Sequence, residues 1–422
     1  MRRTNRAALA VACAASLALS ACGDDGGSDG GGGGGSASGG TVKLGYLTSL
    51  SGAASAGFTG LEGGANARLE AYKAEGGKCA DTDFEVVMGD DTSNPQGALT
   101  AAQKLVQQDK VYAVLPASSF LSGAAQYLTT QASGTPVVGA GFDASPQWQD
   151  EKIRNMFTAV GSVDYNKVAT TFGDYWSALG GTKAAVVAFD TQSSSNAALG
   201  GVQSAENAGL ERGYVNVNVP FGTSDVGAIV LGIKESGADV AYLPLTPDTA
   251  FAIVGGLKQA GVEMKSVLLA TGYGADLLKS DPAVQAAQGV GFLTAYAPTE
   301  LETEATQAQS EALKQYADSE SGIPSFSESM GWLTTDLFLH GLELAGCDAS
   351  QEEFIDSLRS DASWDANGLL GEPTDFSEYG NIAGGNGPGN CVYVSILEER
   401  TFVPDENAKP ACGELLDETV ER

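Results

Sequence analysis

Histidine is almost absent: the 422-residue chain holds one, His340, beside 6 cysteines, 23 Lys+Arg and 53 Asp+Glu. A zinc centre built on two or three imidazoles is therefore excluded, and a Ser-His-Asp triad would have to use that single residue. His340 sits in a helical apolar stretch with Leu333, Leu337, Phe338, Gly341 and Leu344, so it reads as a packed or half-exposed helix residue. Basic residues are scarce as well. A formal charge of −30 without any basic block excludes a nucleic-acid surface, which must displace counterions. The cysteines form no C-x-x-C, and the glycine runs match no phosphate-binding pattern. No metal and no cofactor is expected, and nothing singles out a carboxylate pair for hydrolysis.

What is present begins with a secretory signature. Arg2, Arg3 and Arg6 precede an apolar run over 7–19 that is too short to span a bilayer. The run ends Leu19-Ser20-Ala21-Cys22, which resembles the lipobox of bacterial lipoproteins, so 1–21 is expected to be a signal peptide and Cys22 the lipidated N-terminus. Residues 23–40 are nearly all Gly, Ser and Asp, with six consecutive glycines over 30–35. Such a linker is a flexible coil spanning roughly 20–25 Å. Loss of the signal removes three arginines, leaving 20 basic against 53 acidic residues, or −33. Of the cysteines, Cys79, Cys347, Cys391 and Cys412 then remain; an even number in an exported chain predicts two disulfides, with three pairings open.

With 43% hydrophobic residues, the body has enough apolar sequence for two or three domains' worth of core. From 41 onward short β-rich runs alternate with amphipathic ones. Strands are expected at 42–47, 84–88, 111–115, 136–138, 184–189, 214–219, 240–243 and 267–270, with helices at 57–74, 95–109, 121–132, 162–179, 195–208, 225–235 and 248–260. A further helix is expected to start near Leu301, with Glu300, Glu302 and Glu304 on a solvated face. This alternation predicts an α/β fold of two doubly wound lobes, roughly 41–158 and 159–295. Ligands of such sheets sit outside the carboxyl ends of strands, where strand order reverses. Three loops there carry small and polar residues: 116–123 with Ser118, Ser119 and Ser122; 139–143 with Gly141; and 190–195 with Asp190 and Gln192. Hydroxyls and N–H groups at a helix N-terminus suit a carboxylate, although plain N-capping by Ser119 or Ser122 is the ordinary alternative.

At these residues a family becomes recognisable. The series Leu44-Gly45-Tyr46, Ser51-Gly52, Asp90-Asp91-Thr92-Ser93-Asn94-Pro95 and Val111-Tyr112-Ala113-Val114 with its serine loop resembles the branched-chain amino acid type of ABC-transporter substrate-binding lipoproteins. So do 186–190, Ala238-Asp239-Val240 and the late helix over 326–345. The resemblance spans 41–404 and implies the type I periplasmic-binding fold, two Rossmann-like lobes joined by a three-crossover hinge. Lobe 1 would comprise 41–158 plus 296–388, and lobe 2 159–295 plus 389–422.

The resemblance also assigns a ligand set. Ser119 would hold a ligand carboxylate, with Ser118 and Ser122 alongside; Gly141, Phe142 and Asp143 would form the next carboxylate-holding stretch; Phe58 would be the aromatic wall. Asp190, Gln192, Thr246 and Tyr273 would contribute from the second lobe. Two departures stand out. Asp143 replaces a threonine and would repel a carboxylate unless protonated or turned away. The acid that pairs with an α-ammonium is missing, because the stretch reads Thr271-Gly272-Tyr273-Gly274. Either Asp143 or Asp190 supplies that charge from another side, or the ligand has no ammonium and Tyr273 stacks or bonds instead. The resemblance further implies disulfides within lobes, Cys79–Cys347 and Cys391–Cys412, so that closure is unhindered. The resulting expectation is a monomeric, non-catalytic solute receptor, lipid-anchored on the extracytoplasmic face of a bacterial membrane. It would deliver an amino acid or related carboxylate or amide to membrane permease subunits. A sensing receptor of the same fold and, behind it, a secreted carboxylate-dependent hydrolase are the rival readings.

Overall fold

The computed structural model describes residues 41–160, 164–377, 390–405 and 410–421; the expected signal peptide, Cys22, the linker and the glycines at 384–389 lie outside them. Five strands, β1 (Val42–Thr48), β2 (Phe84–Asp90), β3 (Ala113–Pro116), β4 (Val137–Gly139) and β5 (Met156–Thr158), form a parallel sheet in the order β2-β1-β3-β4-β5. Then follow β6 (Lys167–Ala169), β7 (Lys183–Phe189), β8 (Glu211–Val219), β9 (Val240–Leu243), β10 (Ser266–Leu269) and β11 (Gly291–Thr294). The last are β12 (Cys391–Glu398), β13 (Thr401–Pro404), β14 (Ala411–Cys412) and β15 (Leu415–Thr419). The second sheet runs β8-β7-β9-β10-β11 in parallel, then β12 and β13 antiparallel, with β14 on β12.

Both parallel sheets therefore share one order, in which the first strand lies between the second and the third. Strand order reverses beside β1 and again beside β7, and a crevice opens at the carboxyl ends on each reversal. The central strands are buried on both faces, as continuous apolar runs such as Ala184-Ala185-Val186-Val187 require when helices cover both sides. The chain crosses between the sheets between β5 and β6, again after β11, and a third time between 377 and 390.

The helix Phe326–Ala345 returns to the first sheet and fills its core with Leu333, Leu337 and Phe338. Ser325 and Glu328 start it with a reciprocal capping box. It crosses the helix Leu61–Ala74 closely, because both present glycine: a methyl on Gly64 would lie 2.0 Å from the Glu328 carbonyl oxygen, and one on Gly331 2.1 Å from that of Leu61. Beside this crossing Arg68 is buried against Asp336 at 2.5 Å, with Asn367 also bonding that carboxylate. Cys79 is bonded to Cys347 under the first sheet and Cys391 to Cys412 across the β12–β14 pair.

Three local expectations are corrected. The helix over 162–179 is confined to Thr171–Ala178, because 167–169 pairs with β15 some 250 positions later, a partner no local periodicity reveals. The helix over 95–109 is α-helical only to Gln103; Lys104–Asp109 forms a π turn closed by left-handed Lys110. The helix expected near Leu301 begins at Glu304, capped by Thr303, after a short turn at Thr299–Leu301. Glu300 does not lie on a solvated face: it accepts hydrogen bonds from the Tyr273 hydroxyl at 2.9 and 3.0 Å and from Ser395 at 3.4 Å. His340 bonds Asp361 at 3.0 Å and lies against Trp364, as a half-buried helix residue.

Candidate functional site

Between the two sheets lie two adjoining cavities. The first, about 150 Å³, occupies the crevice where both strand orders reverse and is here called the cleft chamber. The loop after β1 brings Phe58 to it, the loop after β3 Ser119, the β7 end Phe189 and Thr191, and the loop after β9 Thr246. The second, about 190 Å³, lies at the crossovers and is the hinge chamber. Val160, Ala295 and Asn390, each next to one of the three crossings, line it.

The lobes already touch across the cleft. Phe120 of the first lobe packs on Phe221 of the second with ring centroids 5.6 Å apart, and Phe221 stacks on Phe189 at 3.9 Å. Gln192 Nε2 lies 3.5 Å from the Ala144 carbonyl oxygen. Aromatic rings from both lobes wall the cleft, Phe189 and Phe221 from the second and, from the first, Phe58 stacked on Phe142 with Phe326 edge-on to both. The helices Ser122–Thr130, Gln192–Asn207 and Pro247–Gln259 all begin at loops facing the crevice. Their free N–H ends favour negative charge there. Thr191 caps the second by accepting from Ser194 N–H. The hydroxyls of Ser119 and Thr246 line the cleft chamber and have no partner among the described residues.

Of the residues expected in the site, Phe58, Ser119 and Thr246 line the cleft chamber, Gly141 the hinge chamber and Phe142 both. Gly141 has φ +72°, and a methyl there would press on Thr158 Cγ2 at 2.7 Å, so this close approach requires glycine. The others point elsewhere. Ser118 donates to buried Asp91, which also accepts from Ser49 at 2.7 Å, so it braces the loop instead of facing the crevice. Burial raises the Asp91 carboxyl above the usual range. Ser122, Asp190 and Gln192 are exposed and line neither chamber.

Asp143 is turned away: it is fully buried, accepts Trp148 Nε1–H at 2.7 Å and Ser145 Oγ–H, and is pushed up by burial. It therefore neither repels a carboxylate in the cleft nor offers one to an ammonium. Tyr273 is 4% exposed, and its hydroxyl is held by Glu300 and by Thr299 N–H at 3.1 Å, so that it lines neither chamber. Burial raises both this phenol and the Glu300 carboxyl. Neither Asp nor Glu lines either chamber among the described residues; Lys167 is the single charged side chain that does.

The chain's own periodicity gave no sign of several wall residues. Tyr165, Phe189, Phe221, Tyr242 and Phe326 come from three elements and two loops. Their one signal is position: Phe189 ends a strand predicted to carry a ligand loop. Tyr165, half-buried and lining both chambers, has its phenol pushed up to about 12 by desolvation and then by the nearby Asp143.

The profile of a family described as periplasmic binding protein matches residues 41–395. Solved structures share the fold at low identity. A solute-binding protein of an R. palustris ABC transporter in complex with benzoate superposes at TM-score 0.70 with 17% identity, over 90% of this chain and 99% of that one. A fatty acid ABC transporter substrate-binding protein from Thermomonospora curvata gives 0.70 and 21%, over 90% and 95%. A branched-chain amino acid ABC transporter protein from Thermus thermophilus with bound valine gives 0.69 and 17%, over 88% and 96%. No curated protein matches significantly.

Proposed function

Since the chain belongs to the periplasmic binding protein family and has the type I fold of two doubly wound lobes, we propose that it captures a small organic carboxylate for an ABC importer. The observation that carries this reading is the cleft chamber, built by loops from both lobes at both strand-order reversals. Ligand favours the closed arrangement because only there does it touch both walls. The moving bodies are 41–158 plus 296–388 and 159–295 plus 389–422. A lipid on Cys22 and the 23–40 linker hold the protein on the extracytoplasmic face, where permease subunits take the solute as it dissociates. Among the described residues, no helix is long and apolar enough to cross a membrane and no cluster of His, Cys, Asp and Glu could hold a metal.

In binding, each group has one task. Ser119 and Thr246 donate hydroxyl hydrogen bonds to the carboxylate, and the helix N-termini around them stabilise its charge. Phe58, Phe142 and Phe326 cover the apolar body and exclude water. An α-ammonium would be buried there with no carboxylate beside it, which costs several kcal/mol. The ligand class is accordingly a carboxylate without an amine, closer to the benzoate of the R. palustris protein than to the valine of the Thermus protein.

Native protein denatured under mass spectrometry releases such an acid unchanged and in stoichiometric amount. Calorimetry with leucine and 4-methylpentanoate, which differ by the amine, then finds the deaminated acid tighter. Tight leucine binding refutes the ligand class; turnover of the released compound favours a hydrolase. Deletion of the chain abolishes uptake of that acid, whereas a sensor would leave uptake intact.

A further inference from the structure

We infer that the solute of the preceding reading, on which this rests, is elongated, with its carboxylate in the cleft chamber and its apolar body extending into the hinge chamber. The two cavities abut through shared walls: Phe142, Tyr165, Ala197, Tyr242, Ala270 and Phe326 line both. At about 150 and 190 Å³, neither alone reaches the roughly 300 Å³ at which ligand sites begin, whereas the two together do.

Their polar groups differ in kind. In the cleft chamber the Ser119 and Thr246 hydroxyls await a partner. In the hinge chamber three of the polar side chains are already engaged: Thr171 donates to the Asn390 carbonyl at 2.8 Å, Thr294 to that of Tyr296 at 2.7 Å, and Asn196 to Asn166 at 3.1 Å. Lys167 lies 3.5 Å from Asp417 and is 39% exposed, so its charge is met at the rim. Beside Tyr165, Tyr242, Tyr296 and Asn390, the hinge chamber offers an occupant the apolar side chains of Val160, Leu293, Ala295, Met330 and Val392. An alkyl or aryl body gains there about the burial free energy of each methylene, whereas the helix N-termini that favour a carboxylate open on the cleft chamber.

Because residues flanking all three crossings line this chamber, a body that fills it also packs against the hinge. Chain length of the solute is thus read at the pivot, and head chemistry at the mouth.

The test is calorimetric titration of the whole mature chain with straight-chain monocarboxylates from two to ten carbons. Affinity rises about fourfold per methylene once the cleft chamber is full, and stops rising when the hinge chamber is filled. Ala295→Leu, which takes space from the hinge chamber, weakens the long acids at least tenfold more than the short acids and benzoate. An unchanged circular-dichroism spectrum and urea midpoint report a folded variant. Ser119→Ala weakens every member of the series alike, and Lys167→Ala none. Short acids that bind with no gain from length overturn the elongated ligand and leave the proposed function standing. Loss of binding in Lys167→Ala instead of Ser119→Ala reverses the orientation and refutes the inference. If no carboxylate of any length binds, the proposed function itself falls.

Discussion

The contact between Phe120 and Phe221 gives closure a number. Phe120 is 6% exposed on the first lobe, and Phe221 meets it from the second at 5.6 Å between centroids. Closed lobes make this contact and separated lobes cannot. An aromatic pair contributes about 1 kcal/mol beyond its buried area, within a range of about 0.5–1.5. If closure and ligand capture are linked, that energy enters the dissociation constant as about a fivefold coupling. Phe221→Ala alone is not a clean probe, since it also removes stacking on Phe189 at 3.9 Å. A double-mutant cycle with Phe120→Ala cancels that loss. Ligand affinity for the wild type, both single variants and the double variant should give the fivefold coupling, mostly as faster release. Urea unfolding of the ligand-free protein should give none, because the open lobes do not share the pair. Additive effects on affinity, or equal coupling without ligand, would refute the link between this contact and capture.

Gly64→Ala forces a methyl to within 2.0 Å of the Glu328 carbonyl oxygen and should cost about 1–3 kcal/mol as the helices part; an unchanged urea midpoint contradicts the close crossing. Arg68→Met leaves buried Asp336 bonded by Asn367 but without its cation, a loss of about 3–5 kcal/mol; Asp336→Asn in the same chain should recover part of it by urea titration. Glu300 is raised in the folded state by burial, so the native protein binds its proton more tightly than the unfolded chain, and stability falls as pH rises from the unfolded carboxylate value through the folded one. Glu300→Gln should therefore flatten that decline in a pH series of melting temperatures, and a parallel decline in both proteins contradicts it. Removal of the Cys79–Cys347 bridge, which spans 268 positions, should destabilise by about 5 kcal/mol in the chain-entropy picture, against about 3 for Cys391–Cys412, which spans 21; the reverse order in melts of the two double-alanine variants would contradict it.

Much of the architecture was readable from local pattern. Runs such as 184–189 and the amphipathic stretch after 247 announce themselves because side-chain periodicity is a property of a few neighbouring residues. Repetition of that alternation was enough for two doubly wound lobes. The loops that carry Ser119 and Phe142 were read from the alternation, as loops at the carboxyl ends of strands, whereas Phe58 and Thr246 were assigned through the family resemblance; all four line the cleft chamber.

Which way a loop side chain points depends on long-range packing. Asp143 and Tyr273 occupy such loops, yet Trp148 draws one into the first lobe and Glu300, 27 positions on, holds the other away from both chambers. No periodicity along the chain encodes which polar partner such a side chain takes. The aromatic wall is the same case: Tyr165, Phe189, Tyr242 and Phe326 meet only because two sheets of like strand order face each other. The scarcity of histidine and of positive charge removed whole classes of chemistry at the outset, since composition survives any arrangement of the chain. The character of the crevice, aromatic, hydroxyl-lined and free of carboxylates among the described residues, had to wait for the fold, because it is a property of neighbours in space.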